Sequence, residues 1–366
     1  MSCAWQAAKA GWRVTIVDPR PASGASWVAG GMLAPVTEAW PGEEALLELG
    51  AESLRRWPDF AVELAEDAGT PAGLRTEGTV VVAAAAGDRA ELDQLADFLA
   101  GFGRDVDRLS GRELRRLEPA IGPDVRGGLW VPGDLAVDNR TLLGVLRTAS
   151  QRAGVRVEPV SALGFVGGEG AARGVTLADG RLLGTDVVLL AAGAHSATLY
   201  PGLDGLVRPV KGEILRLRHR AGALPPPRHT VRAAVDGRHV YLVPRDDGGL
   251  VLGATQYETG FDTEVTVSGV RDLLRDAQRV CPGLGEYALL ESAAGLRPAS
   301  PDNLPLVGRL GSPGLLVATG HGRNGMLLAP ITAAAVIALL FGVPVPGVVA
   351  AADPARLFTA VTAIRR

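Results

Sequence analysis

Lysine is almost absent from this chain. Lys9 and Lys211 are the only two in 366 residues, and arginine supplies the rest of the positive charge. No basic run exceeds a few residues and the net charge is −3, which argues against nucleic acid as a partner. Cysteine is equally scarce. Cys3 and Cys281 are too few and too far apart for a disulfide framework or a metal-ligand set. A reducing compartment, the cytoplasm, is therefore expected. Residues 1–30 lack a charged segment followed by an apolar core, so no secretory signal is read there. A long unbroken apolar helix is missing too. Residues 326–352 carry no charge, but Pro330, Pro344, Pro346 and Gly342 divide them. The longest continuous piece, 331–341, is too short to cross a bilayer and reads as a buried helix against a sheet. No membrane association is expected.

What is present suits one large or two medium globular domains, with 47% hydrophobic and 21% charged residues. Strand and helix patterns interleave. Residues 44–68 read as a helix with Leu46, Leu49, Leu54 and Phe60 on a partly periodic face. Residues 79–83 are a β-branched run. Ser110 followed by Glu113 is a capping-box pattern. A helix is predicted over 141–153 and a strand over 155–160. Asp179-Gly180 marks a hairpin turn between 174–177 and 181–190. Residues 186–192, closed by Gly193, have the apolar run of a central parallel strand. Strand patterns at 207–217, 230–235, 240–243 and 250–254 predict an antiparallel sheet suited to a substrate pocket. A helix follows over 267–280. The strand 314–319 then runs into Gly320-His321-Gly322-Arg323-Asn324-Gly325 and the apolar helix, an arrangement that aims a helix start at electron-rich ligand atoms.

The N-terminal residues carry a further signal. Residues 2–9 read as a small-residue helix, and 11–18 as a short apolar strand ending in Asp18. That pair matches the second half of a βαβ dinucleotide-binding unit, whose acid holds a ribose hydroxyl and whose glycine-rich turn lies roughly 20 residues upstream. Counted back from Asp18, that turn falls at or before Met1. Two expectations follow: the true start lies upstream, or the dinucleotide is held weakly or not at all.

Four segments, in order and spacing, resemble one family: Val17-Asp18-Pro19; Gly24 to Pro35; Gly295-Leu296-Arg297-Pro298 with Asp302 and Gly308-Arg309; and Gly320 to Met326. Together with Arg208-Pro209-Val210-Lys211-Gly212-Glu213, they resemble the D-amino-acid oxidase superfamily of FAD enzymes, in particular its glycine-oxidase branch in bacterial thiamine biosynthesis. The resemblance implies an α/β fold. A Rossmann-like FAD-binding domain, its first strand and glycine-rich turn missing here, would occupy 1–80, 140–205 and 290–366. An inserted, mainly antiparallel α+β substrate domain would occupy 81–139 and 206–289.

The same resemblance implies roles for individual residues. Asp18 and Pro19 would lie at the adenosine ribose and Ala162 near the adenine. Ala25, Ser26, Gly30, Gly31 and Met32 would pass beneath the flavin. Gly193 and His321, Gly322, Arg323, Asn324, Gly325, Met326 and Leu327 would complete the cofactor site. Arg297 would grip a substrate carboxylate as a bidentate fork, with Tyr241 donating to it, Gln256 near the α-carbon, and Arg323 also facing the substrate. The implied reaction is oxidation of glycine to the imine by hydride transfer to flavin N5, with O2 reoxidising the flavin to give H2O2 and the imine feeding the thiamine thiazole. Orientation does most of that work, so no residue, including His239 and His321, is expected to be a catalytic acid or base. No cysteine follows Cys281, so the FAD is expected to be non-covalent. Sarcosine or a D-amino acid as substrate, and a flavin-free remnant, are the alternatives. Self-assembly is left open.

Overall fold

The computed structural model describes residues 1–104, 106–167 and 172–358. Its largest element is an eight-stranded sheet. In spatial order the strands are Ala288–Ala299, Arg208–Arg218, Gly249–Gly253, Arg238–Pro244, Thr230–Val235, Thr79–Ala83, Gly127–Val131 and Asp107–Ser110. Neighbours are antiparallel except Thr79–Ala83 and Thr230–Val235, which run parallel. Thr79–Ala83 is buried on both faces, the physical reason for its unbroken β-branched run. Leu215, Leu242 and Leu252 pack on one face with Leu273, Ala277 and Val280 of helix Val267–Val280. Side chains alternate along a strand, so Ile214 and Val251 turn to the other face, where they meet Val28 of the short helix Ala25–Val28. That second face carries the candidate site.

The remaining strands form smaller ladders. Thr15–Val17 pairs in parallel with Arg156–Glu158, and Val188–Leu190 in parallel with Leu315–Thr319, whose other edge takes Leu306–Arg309. The strand expected at 186–192 is thus shorter, and among the described residues it ladders on one side only. The run expected at 181–190 is two strands, Leu182–Gly184 and Val188–Leu190. Met32–Leu33 pairs with Leu135–Val137, which also takes Leu74–Arg75.

The helical core is built around Glu44–Ala68. It buries Leu49, Trp57, Phe60 and Leu64 with Leu142 and Leu146 of helix Asn139–Arg152 and Ile331 and Ala335 of helix Ala329–Phe341. Trp5 and Trp57 meet Phe60 edge-on, with centroids 5.4 and 5.3 Å away, a favoured geometry for aromatic quadrupoles. Helix Glu44–Ala68 ends where Gly69 turns to φ 69°, a left-handed conformation that glycine reaches without a Cβ clash. No helix of the described residues is long and apolar enough to cross a membrane.

The eight-stranded sheet takes Thr79–Ala83 and Ala288–Ala299 whole. The expected boundary at 80/81 falls inside the first of these strands and that at 289/290 inside the second. A strand belongs with the ladder it hydrogen-bonds, so both strands group with the sheet. The tail of the last expected segment, 359–366, lies outside the described residues.

Candidate functional site

Arg297 and Tyr241 share the second face of the large sheet. Arg297 pairs with Val210, and Tyr241 with Gly253. Gly212 and Gly253 let these two large side chains lie flat. A Cβ on Gly212 would sit 2.3 Å from Arg297 Nη1, and one on Gly253 would sit 2.3 Å from the Tyr241 oxygen. Gly30 approaches Tyr241 from the loop above, and a Cβ there would be 2.6 Å from the ring. Arg297 Nη1 donates to Thr255 O at 3.2 Å. Among the described residues its guanidinium meets no carboxylate within ion-pairing distance. Burial pushes the Tyr241 phenol above its ordinary value, against the nearby Arg297 charge. Tyr241 is therefore a neutral hydroxyl donor beside an unpaired fork of N–H groups.

The loop over this face is held from the first turn of helix Asn139–Arg152. Asp138 caps that helix, its Oδ1 accepting from Arg140 N at 3.0 Å and Thr141 N at 3.2 Å. The next two side chains then reach the loop. Asn139 Nδ2 donates to Ser26 O and Trp27 O, both at 2.9 Å. Arg140 lies 4.1 Å from the Trp27 ring centroid and forms a bidentate pair with Glu291 at 2.9 and 2.7 Å. Arg245 Nη2 donates to Gly30 O at 2.7 Å, and Val137 N to Gly31 O at 2.8 Å. Burial pulls Arg245 down to about 10, which leaves it charged at neutral pH.

Three further expected positions sit at the C-terminal ends of parallel strands, where open α/β sheets bind ligands. Asp18 follows Thr15–Val17, is half-buried, and accepts from Arg20 N at 2.9 Å. Gly193 follows Val188–Leu190, and Gly320 to Leu327 follow Leu315–Thr319. The two turns are stitched together: Thr319 Oγ1 donates to Gly193 O at 3.1 Å and accepts from Ser196 Oγ at 2.8 Å. Leu327 O takes Ser53 Oγ at 2.6 Å and Trp57 Nε1 at 2.9 Å, which anchors the second turn to helix Glu44–Ala68. Gly193 and Gly322 are left-handed at φ 56° and 53°, and a Cβ on either would meet nothing within 4 Å. The Cβ side of these two glycines is thus open.

Other expected residues are placed differently. Arg323 does not join Arg297. Its Nη2 donates to Glu43 Oε2 at 2.8 Å and Glu38 O at 3.1 Å. Gln256 is exposed beyond the end of strand Gly249–Gly253. His321 is held by Thr332 Oγ1 at 3.0 Å, and burial pulls it down to about 4, so it is neutral at physiological pH. His239 is exposed, 5.8 Å from Trp40. Lys211 is buried, bonded to Asp262 and to Glu264 O, and 3.7 Å from Glu213. Ala162 opens strand Ala162–Val166 and is half-buried. Sequence reasoning missed Asn139, Arg245, Glu38 and Asp134. Asp134, fully buried beside Thr37 Oγ1 at 2.8 Å, is pushed up to about 7 by burial.

A profile of the family described as FAD dependent oxidoreductase (DAO) matches residues 1–339. The chain is 34% identical over 352 residues to the Bifunctional protein ThiO/ThiG of Synechocystis sp., covering 95% of this chain but only 50% of that protein. The chain thus spans half the length of that relative. It is 32% identical to the Glycine oxidase of Geobacillus kaustophilus, covering 85% of this chain and 81% of the relative. The crystal structure of glycine oxidase from the same organism superposes with a TM-score of 0.88 at 30% identity, covering 96% and 94% of the two chains. That of an iminodiacetate oxidase from Chelativorans sp. BNC1 gives 0.85 at 27% identity, covering 96% and 95%.

Proposed function

This chain belongs to the DAO family of FAD-dependent oxidoreductases, and from that premise we propose that it oxidises the amine of glycine to the imine. The observation that carries this reading is the Arg297–Tyr241 pair: an unpaired guanidinium and a neutral phenol on one sheet face, with room kept by Gly212 and Gly253. Such a pair suits a small carboxylate, which takes two parallel N–H bonds from the fork and one from the hydroxyl. FAD, when bound, would supply the two-electron acceptor for the substrate's α-hydrogen, with O2 as the final oxidant.

The residues that would hold the FAD are those at the strand ends. Asp18 and Pro19 suit the ribose, and Ala162 the adenine. The backbones of Ala25 to Met32, Gly193 and His321 to Leu327 suit the flavin. The open turns at Gly193 and Gly322 support this assignment. Non-covalent attachment is supported by the burial of Cys281 in the core of the large sheet. The protein's own contribution is orientation. Arg297 and Tyr241 fix the carboxylate, while the loop held by Asn139 and Arg245 covers the opposite side. His321, with one ring nitrogen tied to Thr332 and its basicity lowered by burial to about 4, is a poor proton acceptor, which supports a reaction in which no protein base takes a proton. The thiamine thiazole as destination of the imine is supported by the likeness to a putative thiamine biosynthesis oxidoreductase ThiO of Rhizobium etli. Within this reading, residues 1–78, 140–205 and the segment after Ala299 form the cofactor domain, and the large sheet, with Thr79–Ala83 and Ala288–Ala299, the substrate domain. A second reading, an N-substituted glycine, is favoured by the likeness to iminodiacetate oxidase.

The test is a visible spectrum of the chain purified with FAD. Glycine should bleach the flavin bands without oxygen, and air should restore them with release of H2O2. Bleaching by sarcosine or iminodiacetate but not by glycine would transfer the assignment to the second reading. Bleaching by none of these would reject both.

A further inference from the structure

Asn139 is fully buried and uses its whole hydrogen-bonding capacity. Its Nδ2 donates to Ser26 O and Trp27 O, each at 2.9 Å. Its Oδ1 accepts from Arg216 Nη2 at 3.1 Å and Arg245 Nη2 at 3.2 Å. Two carbonyls on one side and two guanidiniums on the other leave the amide a single orientation. The same Arg245 Nη2 also holds Gly30 O at 2.7 Å. One amide therefore ties the sheet, through Arg216 and Arg245, to the loop backbone at both Ser26–Trp27 and Gly30. Arg140 adds the outer grip on Trp27, itself fixed by Glu291. Five parts of the chain meet here: the loop, the first turn of helix Asn139–Arg152, strands Arg208–Arg218 and Ala288–Ala299, and Arg245 just past strand Arg238–Pro244.

This is far more polar anchoring than a short surface loop needs. Helix Ala25–Val28 has only Val28 buried, so apolar packing alone would leave the loop's height above the sheet loosely defined. A buried network whose central amide has every donor and acceptor engaged sets a single geometry instead.

We infer that Asn139 is a positioning residue for the flavin-facing loop: through Ser26, Trp27 and Gly30 it sets the height of the 25–31 backbone above Arg297 and Tyr241, and so the distance between cofactor and substrate. The inference rests on the proposed placement of that loop beneath the flavin. It requires no contact between Asn139 and either ligand.

The experiment compares the full chain with N139D and R140Q. N139D keeps the shape and the acceptor for the two arginines but replaces both N–H donors with an oxygen facing two carbonyls. Three quantities are read: FAD dissociation constant by flavin fluorescence, the visible bands of bound flavin, and the anaerobic rate of reduction by glycine against glycine KM. N139D is expected to weaken FAD by about tenfold or more, the scale of one or two lost buried hydrogen bonds. Its flavin bands should shift and its reduction rate should fall while KM moves little, because Arg297 and Tyr241 are untouched. R140Q should move the same three quantities in the same direction by less. A folded N139D with affinity, bands and rate all within about twofold of the parent would overturn the inference and leave the network as structural glue. Should N139D not fold, R140Q decides on the same readouts. A parent chain that binds FAD but is not reduced by glycine would sink the substrate reading alone, and affinity and bands would still judge Asn139.

Discussion

Arg297 and Arg323 carry the same functional group, and the family resemblance implies a substrate contact for each. Their surroundings differ in one decisive respect. Arg297 lies over Gly212 with a single backbone carbonyl at 3.2 Å and no carboxylate in ion-pairing range among the described residues. Arg323 is taken up by Glu43 at 2.8 Å and by Glu38, which also pairs with Arg232 at 2.6 Å. An unpaired guanidinium can accept an incoming carboxylate without first giving up a partner, whereas a paired one must break ion pairs to do so. An arginine's availability is thus set by the acids the fold places beside it.

Substitutions at these positions should have effects of graded size. The largest effect is expected from R297M. Removing the fork from a partly desolvated carboxylate site should cost about 3–5 kcal/mol, a loss of several-hundred-fold or more in kcat/KM for glycine, carried mainly by KM. Peroxide release under steady state reads it, and an unchanged KM would refute the carboxylate role.

The next effect concerns charge on the other side. Asp134 sits near Arg232 and Glu38, yet burial dominates and raises it to about 7. Its neutral form is the one the fold favours. Its contribution is therefore complete below the ordinary aspartate value and is lost as pH rises toward 7. His321, lowered to about 4, acts in the opposite sense: its contribution is present above the ordinary histidine value and lost as pH falls toward 4. The two slopes offset each other in the parent protein. D134N should expose the histidine slope and raise stability at pH 8 relative to the parent by on the order of 2–4 kcal/mol. Urea unfolding of both proteins at pH 5 and pH 8 measures this; identical pH slopes would dismiss it.

Smaller still is Y241F, which removes one hydrogen bond to the ligand. KM should rise about tenfold with flavin bands unchanged; a change in FAD affinity instead would put Tyr241 on the cofactor. The smallest effect is expected from R323M. Its partners are partly solvated, so stability should fall by about 1 kcal/mol or less and glycine KM should hold. A KM rise matching that of R297M would erase the contrast between the two arginines.

Much of the fold was legible because its signals are local. The helices Glu44–Ala68 and Val267–Val280 and the strand Thr79–Ala83 have the expected bounds, and the Ser110–Glu113 capping box forms. Helix Ala25–Val28 was not legible: four residues after a glycine show no period. The parallel partnership of Thr79–Ala83 with Thr230–Val235 was hidden as well, since strand pattern encodes burial but not the neighbour. In the site, Arg297 and Tyr241 stand out through motif context. Asn139, Arg245, Glu38 and Asp134 do not, because each acquires its role from partners remote in sequence. Arg323 shows the converse: its motif is plain, and only Glu38 and Glu43 reveal its occupation.

Gly212 and Gly253 invite a different view of what a site is made of. Neither side chain exists, and a tally of favourable contacts would rate both positions as free to vary. Their contribution is volume left free for a neighbour, and a single added methyl at either would occupy the seat of the guanidinium or the phenol. In engineering terms, any scheme that redesigns this pocket by filling space should treat those two positions as walls already built.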